Sequence, residues 1–197
     1  MKKITAITIA VALYITLCGW VQAENWDDNN WSALMIECAM VGDTTKGQWA
    51  EAERNAKIDR LGLSNAKVSY DELRMLSQIV NQESGSYWLS DEHQRLVASV
   101  VLNRMASPEF PDTMYEVLTA PGQYGGTIWQ RQTRPSERAV RNALYVLENG
   151  SQAPAGVIFQ SNFSWLGSGV WKAIPDRYLA TTYFGYSYRP WLYEEAP

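Results

Sequence analysis

Among the acidic side chains of this sequence, Glu83 holds the position best suited to proton transfer. At about 100° per residue it falls roughly 20° from Leu76 around a helix, close to Ile79 and Val80. A carboxyl group leaving an apolar face near a helix C-terminus has two reasons for a raised pKa. Burial disfavours the ion, and the negative end of the helix dipole pushes the same way. Such a group stays protonated near neutral pH and can donate to a leaving oxygen. The competing reading is a last-turn glutamate that faces solvent or pairs with Arg104 or Arg131.

Two other chemistries compete. Cys38 and His93, the one histidine, are what a cysteine peptidase would need. That enzyme wants its thiol at an electropositive helix start with a base beside it. Cys38 instead follows Glu37 in a helical stretch, and a free cysteine of this kind is usually a small buried hydrophobe. Metal catalysis has little to work with, since one His and one mature Cys fall short of the usual zinc sets. No metal or cofactor is therefore expected, although calcium held by scattered Asp residues stays open.

The elements that must position Glu83 are readable around it. Ser69-Tyr70-Asp71-Glu72 is a capping box, and Leu73, Leu76, Ile79 and Val80 follow at helical spacing, so a helix is predicted over 70–84 with Gly85 as its stop. Ser90-Asp91-Glu92 opens a second helix carried on Leu96, Val97, Val100 and Val101 and ended by Ser107-Pro108. A short helix fits between Pro111 and Pro121, and the loop Gly122-Gln123-Tyr124-Gly125-Gly126 follows. Another helix runs from Pro135-Ser136-Glu137 through Val140, Leu144 and Leu147 to Asn149-Gly150. Residues 157–160 and 178–188, rich in β-branched and aromatic types, read as strands or extended loops. Helices first and strands last predict an α+β domain, mainly helical, with a small C-terminal β region.

The flanks set the context. Lys2 and Lys3, an uncharged run over 4–21 and small residues at Val21 and Ala23 form a secretory signal peptide over 1–23. An uncleaved anchor is the alternative, because the run approaches the roughly 20 residues that span a bilayer. Either way the folded part is expected outside the cytoplasm, secreted or in the cell envelope, without stable membrane association after cleavage. Residues 24–66 are polar, with weak helical stretches at 31–40 and 48–58, and read as an accessory segment. Residues 67–197 read as the catalytic domain. Removal of Cys18 leaves Cys38 alone, so no internal disulfide forms and packing must carry stability. A net charge of −4 argues against nucleic acid as partner.

One ordered series of motifs goes further. Glu83-Ser84-Gly85-Ser86-Tyr87-Trp88 is followed by Leu96-Val97-Ala98-Ser99-Val100-Val101-Leu102-Asn103-Arg104, then by Ser107-Pro108-Glu109-Phe110-Pro111-Asp112-Thr113. Val117-Leu118, Gly122-Gln123-Tyr124, Phe159-Gln160-Ser161-Asn162-Phe163 and Tyr183-Phe184-Gly185-Tyr186 continue it. The series, roughly Ser69 to Tyr188, resembles the SleB-type cell-wall hydrolase family, which includes spore-cortex-lytic enzymes. The resemblance implies a compact catalytic domain related to lysozymes and lytic transglycosylases. Its substrate would be peptidoglycan glycan strands, cut at the β-1,4 bond between N-acetylmuramic acid and N-acetylglucosamine. Apart from the resemblance, a monomer is expected.

The resemblance puts the family's catalytic acid on Glu83. Two positions depart from the pattern: a frequent second Glu is Tyr87 here, and a closing Gly-Asn-His-like motif is Gly185-Tyr186. No role for a second Glu or a closing His therefore carries over. A two-carboxylate hydrolase needs a partner across the sugar. Asp91 and Glu92 come nearest in sequence, although charges at a helix N-terminus need no further reason. Without a partner, one Glu can act as acid and then base while the muramyl 6-hydroxyl attacks internally. Gln123, Tyr124, Gln160 and Asn162 are candidates to hydrogen-bond sugar hydroxyls and acetamido groups. Trp88, Trp129 and Tyr183 offer flat faces for sugar rings, with core packing as the alternative. A non-catalytic glycan-binding module, acidic and rich in aromatic residues, remains the other class of function.

Overall fold

The computed structural model describes residues 30–62, 67–124 and 134–193. The signal segment 1–23, Trp129, Arg131 and the Gly125-Gly126 part of the loop lie outside the described residues. Among the described residues six helices come first: α1 (Asn30–Val41), α2 (Thr44–Arg60), α3 (Tyr70–Ser84), α4 (Asp91–Met105), α5 (Met114–Thr119) and α6 (Glu137–Asn149). Three strands follow, β1 (Val157–Ser161), β2 (Val170–Ile174) and β3 (Thr182–Tyr186), and then a 3-10 turn at Pro190–Leu192. The chain is thus mainly helical with a small sheet at its C-terminal end. No helix among the described residues is long and apolar enough to cross a membrane.

Capping residues start these helices where the sequence puts them. Ser69 Oγ accepts from the Glu72 amide (3.4 Å), Ser90 Oγ from His93 (3.1 Å) and Ser136 Oγ from Ala139 (3.2 Å). The reciprocal half of the Ser69 capping box is not made. The Tyr70 amide instead donates to Glu51 Oε2 of α2 (2.8 Å), so a neighbouring helix finishes the cap. Gly85 ends α3 for a different reason from the one expected. Its φ of −73° is right-handed, and glycine is required because a Cβ would run into the Asn81 carbonyl.

α4 lies at the centre, with α3, α6, α5 and β1 packed around it. Its unbroken buried run from Leu96 to Val101 follows from having neighbours on most sides. α1 and α2 are built into the same core. Leu34, Met35, Cys38, Ala39 and Ala50 join Leu73, Leu76, Val97 and Val140 in one apolar cluster. The segment read as accessory therefore packs directly on α3 and α6.

The sheet is antiparallel in the order β1-β3-β2. Gln160 pairs with Phe184, Ser161 with Tyr183 and Ile174 with Thr182. Phe184 is fully buried towards the helices. Tyr183 and Gly185 alternate to the outer face, where the β1–β2 connection crosses: a Cβ on Gly185 would sit 2.8 Å from the Leu166 carbonyl oxygen.

Candidate active site

Glu83 occupies the last turn of α3, but its neighbour Ser84 takes the buried position. Ser84 Oγ donates to the Val80 carbonyl (2.8 Å), and Gln94 Nε2 donates to the Ser84 carbonyl (2.9 Å). Glu83 itself is exposed, contrary to the expectation that it leaves from the apolar face. The apolar stripe of α3 ends with Val80, and the charged group facing Glu83 is Arg104. Desolvation by the surrounding protein nonetheless raises the Glu83 carboxyl above the ordinary range, with the Arg104 guanidinium pulling the other way. Glu83 is thus accessible to solvent and partly desolvated at once.

Arg104 and Asn103 explain why the Asn-Arg pair ends α4. Asn103 Nδ2 donates to the carbonyls of Pro154 (2.8 Å) and Val157 (2.9 Å), bolting β1 to the helix. Arg104 Nε donates to the Ile158 carbonyl (2.8 Å). Its guanidinium carbon lies 5.0 Å from the Tyr124 ring centroid and 5.2 Å from that of Phe110. Tyr124 is 6% exposed, and its hydroxyl has no partner among the described residues. Burial raises its phenol, Arg104 opposes the shift and Glu83 adds to it. Glu83, Arg104 and Tyr124 therefore form one electrostatic group.

The other expected contacts are scattered by comparison. Gln160 lies on the strand that Arg104 holds, two residues past Ile158, and its Oε1 is buried without a partner among the described residues. Gln123 is exposed in the turn before the loop. Asn162, also exposed, follows β1, and Tyr183 is the second residue of β3, paired with Ser161, so both belong to the same end of the sheet. Trp88 turns its indole to Asp176, with Nε1 at 3.2 and 3.3 Å from the two carboxylate oxygens.

Asp91 and Glu92 are committed elsewhere. Asp91 accepts from Arg138 Nε (2.6 Å) and Asn142 Nδ2 (3.0 Å), and the Arg138 and Asn142 hydrogen bonds hold its pKa below the ordinary value. Glu92 pairs with Lys172. The thiol–imidazole pair is not assembled either. Cys38 lies in the core of α1, where burial, Asp43 and Glu37 push its thiol up against a weaker opposing effect of Lys46. His93 packs edge-on to Phe184 at 5.9 Å, and burial lowers its pKa.

Two features escaped the sequence reading. Gln94, 1% exposed, accepts from Asn142 Nδ2 (2.8 Å) while holding the Ser84 carbonyl, and Asn142 Oδ1 accepts from Arg95 Nε (2.9 Å). This fully paired amide chain fixes the end of α3 beside Glu83. Asp176 anchors Trp88 and also accepts from the amides of Tyr178 (2.7 Å) and Leu179 (3.1 Å). The Pro175-Asp176 dipeptide is the kind of turn signal that marks such a residue.

Comparison with protein-family models finds a match over part of the chain. Residues 89–174 match the cell wall hydrolase family. The resemblance read from the motif series is borne out over that stretch, which runs from α4 through β2. No curated protein and no solved structure matches the chain. The hydrolase match supports a role in hydrolysing peptidoglycan. It begins six residues after Glu83, so Glu83 enters on the geometry of α3 and on its coupling to Arg104, which lies within the match.

Proposed function

We propose that this protein is a cell wall hydrolase that cleaves the β-1,4 bond between N-acetylmuramic acid and N-acetylglucosamine, with Glu83 as acid and then base. The observation that carries the reading is the Glu83 carboxyl itself: open to a ligand, raised by desolvation, and facing a fixed guanidinium and a buried phenol. In its protonated form Glu83 donates to the glycosidic oxygen as the bond to the muramyl anomeric carbon breaks. The resulting carboxylate is favoured by the positive charge of Arg104. It then accepts the proton of the incoming nucleophile, and the acid is regenerated.

The commitment of Asp91 and Glu92 to Arg138 and Lys172 favours one glutamate in both roles, with the muramyl 6-hydroxyl as nucleophile. The product is then an anhydromuramyl end, as in lytic transglycosylases, on a lysozyme-like layout. Tyr124, coupled to Glu83 and Arg104, has a buried hydroxyl without a partner among the described residues, suited to an acetamido or hydroxyl group, and Gln160 Oε1 on β1 is a second such atom. The protein works outside the cytoplasm as a monomer once residues 1–23 are removed.

Mass spectrometry of muropeptides released from purified peptidoglycan tests the proposal. Wild-type protein is expected to release anhydromuramyl fragments, and Glu83→Gln to release none. Reducing muramyl ends would replace internal attack by water and require a second carboxylate. Unchanged release by Glu83→Gln would remove Glu83 from the chemistry, and retained binding without release by either protein would favour the glycan-binding module.

A further inference from the structure

The three strands bring an unusual share of exposed aromatic surface to one end of the sheet. β1 and β2 both leave it where β3 begins, as the pairs Ser161–Tyr183 and Ile174–Thr182 show. On the β1 side, Phe163 and Trp165 stack with centroids 4.3 Å apart and planes 18° from parallel, and Trp165 is 71% exposed. On the β2 side, Trp88 meets Tyr178 edge to face at 5.1 Å and Tyr87 at 5.0 Å. Asp176 holds this second group by accepting from the Trp88 indole and the Tyr178 amide. Tyr183 lies near the start of the strand between the two groups, and Asn162 directly precedes Phe163 of the first.

Core packing does not account for these rings, because Tyr87, Trp165, Tyr178 and Leu179 are all exposed. Flat open rings interleaved with an amide and a fixed carboxylate match the chemistry of a pyranose, whose apolar face stacks while its hydroxyls hydrogen-bond. The charged groups in contact with these rings are the Asp176 carboxylate and Arg177, 5.4 Å from the Tyr178 ring, opposite in sign. The Trp88 group is also continuous with the candidate site, since it lies on the turn that carries the chain from Glu83 into α4.

We propose that this end of the sheet, from Phe163–Trp165 across Tyr183 to Trp88–Tyr178, is a carbohydrate platform that holds a glycan strand beyond the bond being cut. The choice of a glycan as occupant rests on the function proposed above. The platform gives the enzyme a grip on an insoluble polymer that contacts around one sugar pair would not supply.

Co-sedimentation of full-length Glu83→Gln protein with purified peptidoglycan sacculi provides the test, because that protein binds without turnover. Adding Trp165→Ala is expected to weaken sedimentation by about two- to tenfold, the range of one aromatic stacking contact. Trp191→Ala, an exposed tryptophan on the C-terminal 3-10 turn, serves as the control and is expected to leave sedimentation unchanged. Equal sedimentation with and without Trp165 overturns the proposal. So does loss of binding to phosphatidylglycerol vesicles with sacculus binding intact, which would make the patch a membrane contact. If wild-type protein releases no muropeptides while Trp165→Ala still weakens sedimentation, the cleavage reading fails and the platform stands.

Discussion

Arg104 does two jobs whose consequences can be separated. Its Nε holds the Ile158 carbonyl, and its charge pulls the Glu83 pKa back against desolvation. Removing the charge lets the Glu83 pKa rise, so the acid stays protonated to higher pH. In Arg104→Gln the alkaline limb of kcat/KM on soluble glycan fragments is therefore expected to shift to higher pH, whereas Arg104→Lys keeps it near the wild-type position. Profiles normalised to their own maxima are insensitive to how much protein is folded, so a weakened Ile158 contact does not obscure the shift. An unmoved limb in Arg104→Gln would mean that Glu83 is not the acid being titrated. The exposure of Glu83 belongs to the same balance: a carboxyl sunk in apolar core would have no route to a polymeric substrate.

At the scale of elements, the end of α3 that carries Glu83 depends on how its beginning is held, and α2 holds it. Glu51 accepts from the Tyr70 amide, Gln48 Nε2 reaches Asp71 (3.2 Å), and Gly47 lies where a Cβ would overlap the Tyr70 ring. Gly47→Ala ought to help an isolated helix by about 1 kcal/mol. Here it is expected instead to destabilise by about 1–3 kcal/mol, the cost of forcing apart a packed contact. Urea unfolding measures it, and a variant as stable as wild type would show that α2 does not seat on Tyr70. This docking also explains what the sequence concealed. The buried residues of α2 are Gly47, Ala50 and Ile58, so a helix that seats through small side chains leaves almost no apolar stripe to read. α3, α4 and α6 were legible because Ser69, Ser90 and Ser136 begin them and aliphatic residues line them. β2 was not, because its exposed and half-buried residues take their register from β3, which follows it in sequence. In the site, Glu83 and Arg104 could be found from local pattern. Gln94, Asn142 and Asp176 act on partners 10, 48 and 88 residues away, which no local spacing reports.

For the whole molecule, the question is whether residues 67–197 can stand alone as the catalytic domain. Leu34, Met35, Ile36, Ala39, Ala50 and Ile58 are all buried, and α1 and α2 pack on α3 and α6 as well as on each other. At roughly 1.5–3 kcal/mol for each fully buried large side chain, α1 and α2 contribute on the order of 10 kcal/mol of apolar burial before conformational entropy is subtracted. That is comparable with the whole net stability of an ordinary domain, about 5–15 kcal/mol. Truncation also bares the α3 and α6 surfaces that α1 covers and strips the Tyr70 amide of Glu51. Arg54, whose Nη2 pairs with Glu148 of α6 at 2.6 Å, is lost as well. A fragment of residues 67–197 is therefore expected to lack the cooperative thermal transition expected of residues 24–197 and to bind a hydrophobic dye at neutral pH. Co-expression with residues 24–62 as a separate chain is expected to restore the transition in part, because the contacts need proximity more than a peptide bond. A fragment that melts cooperatively at the parent temperature would return residues 24–66 to an accessory role.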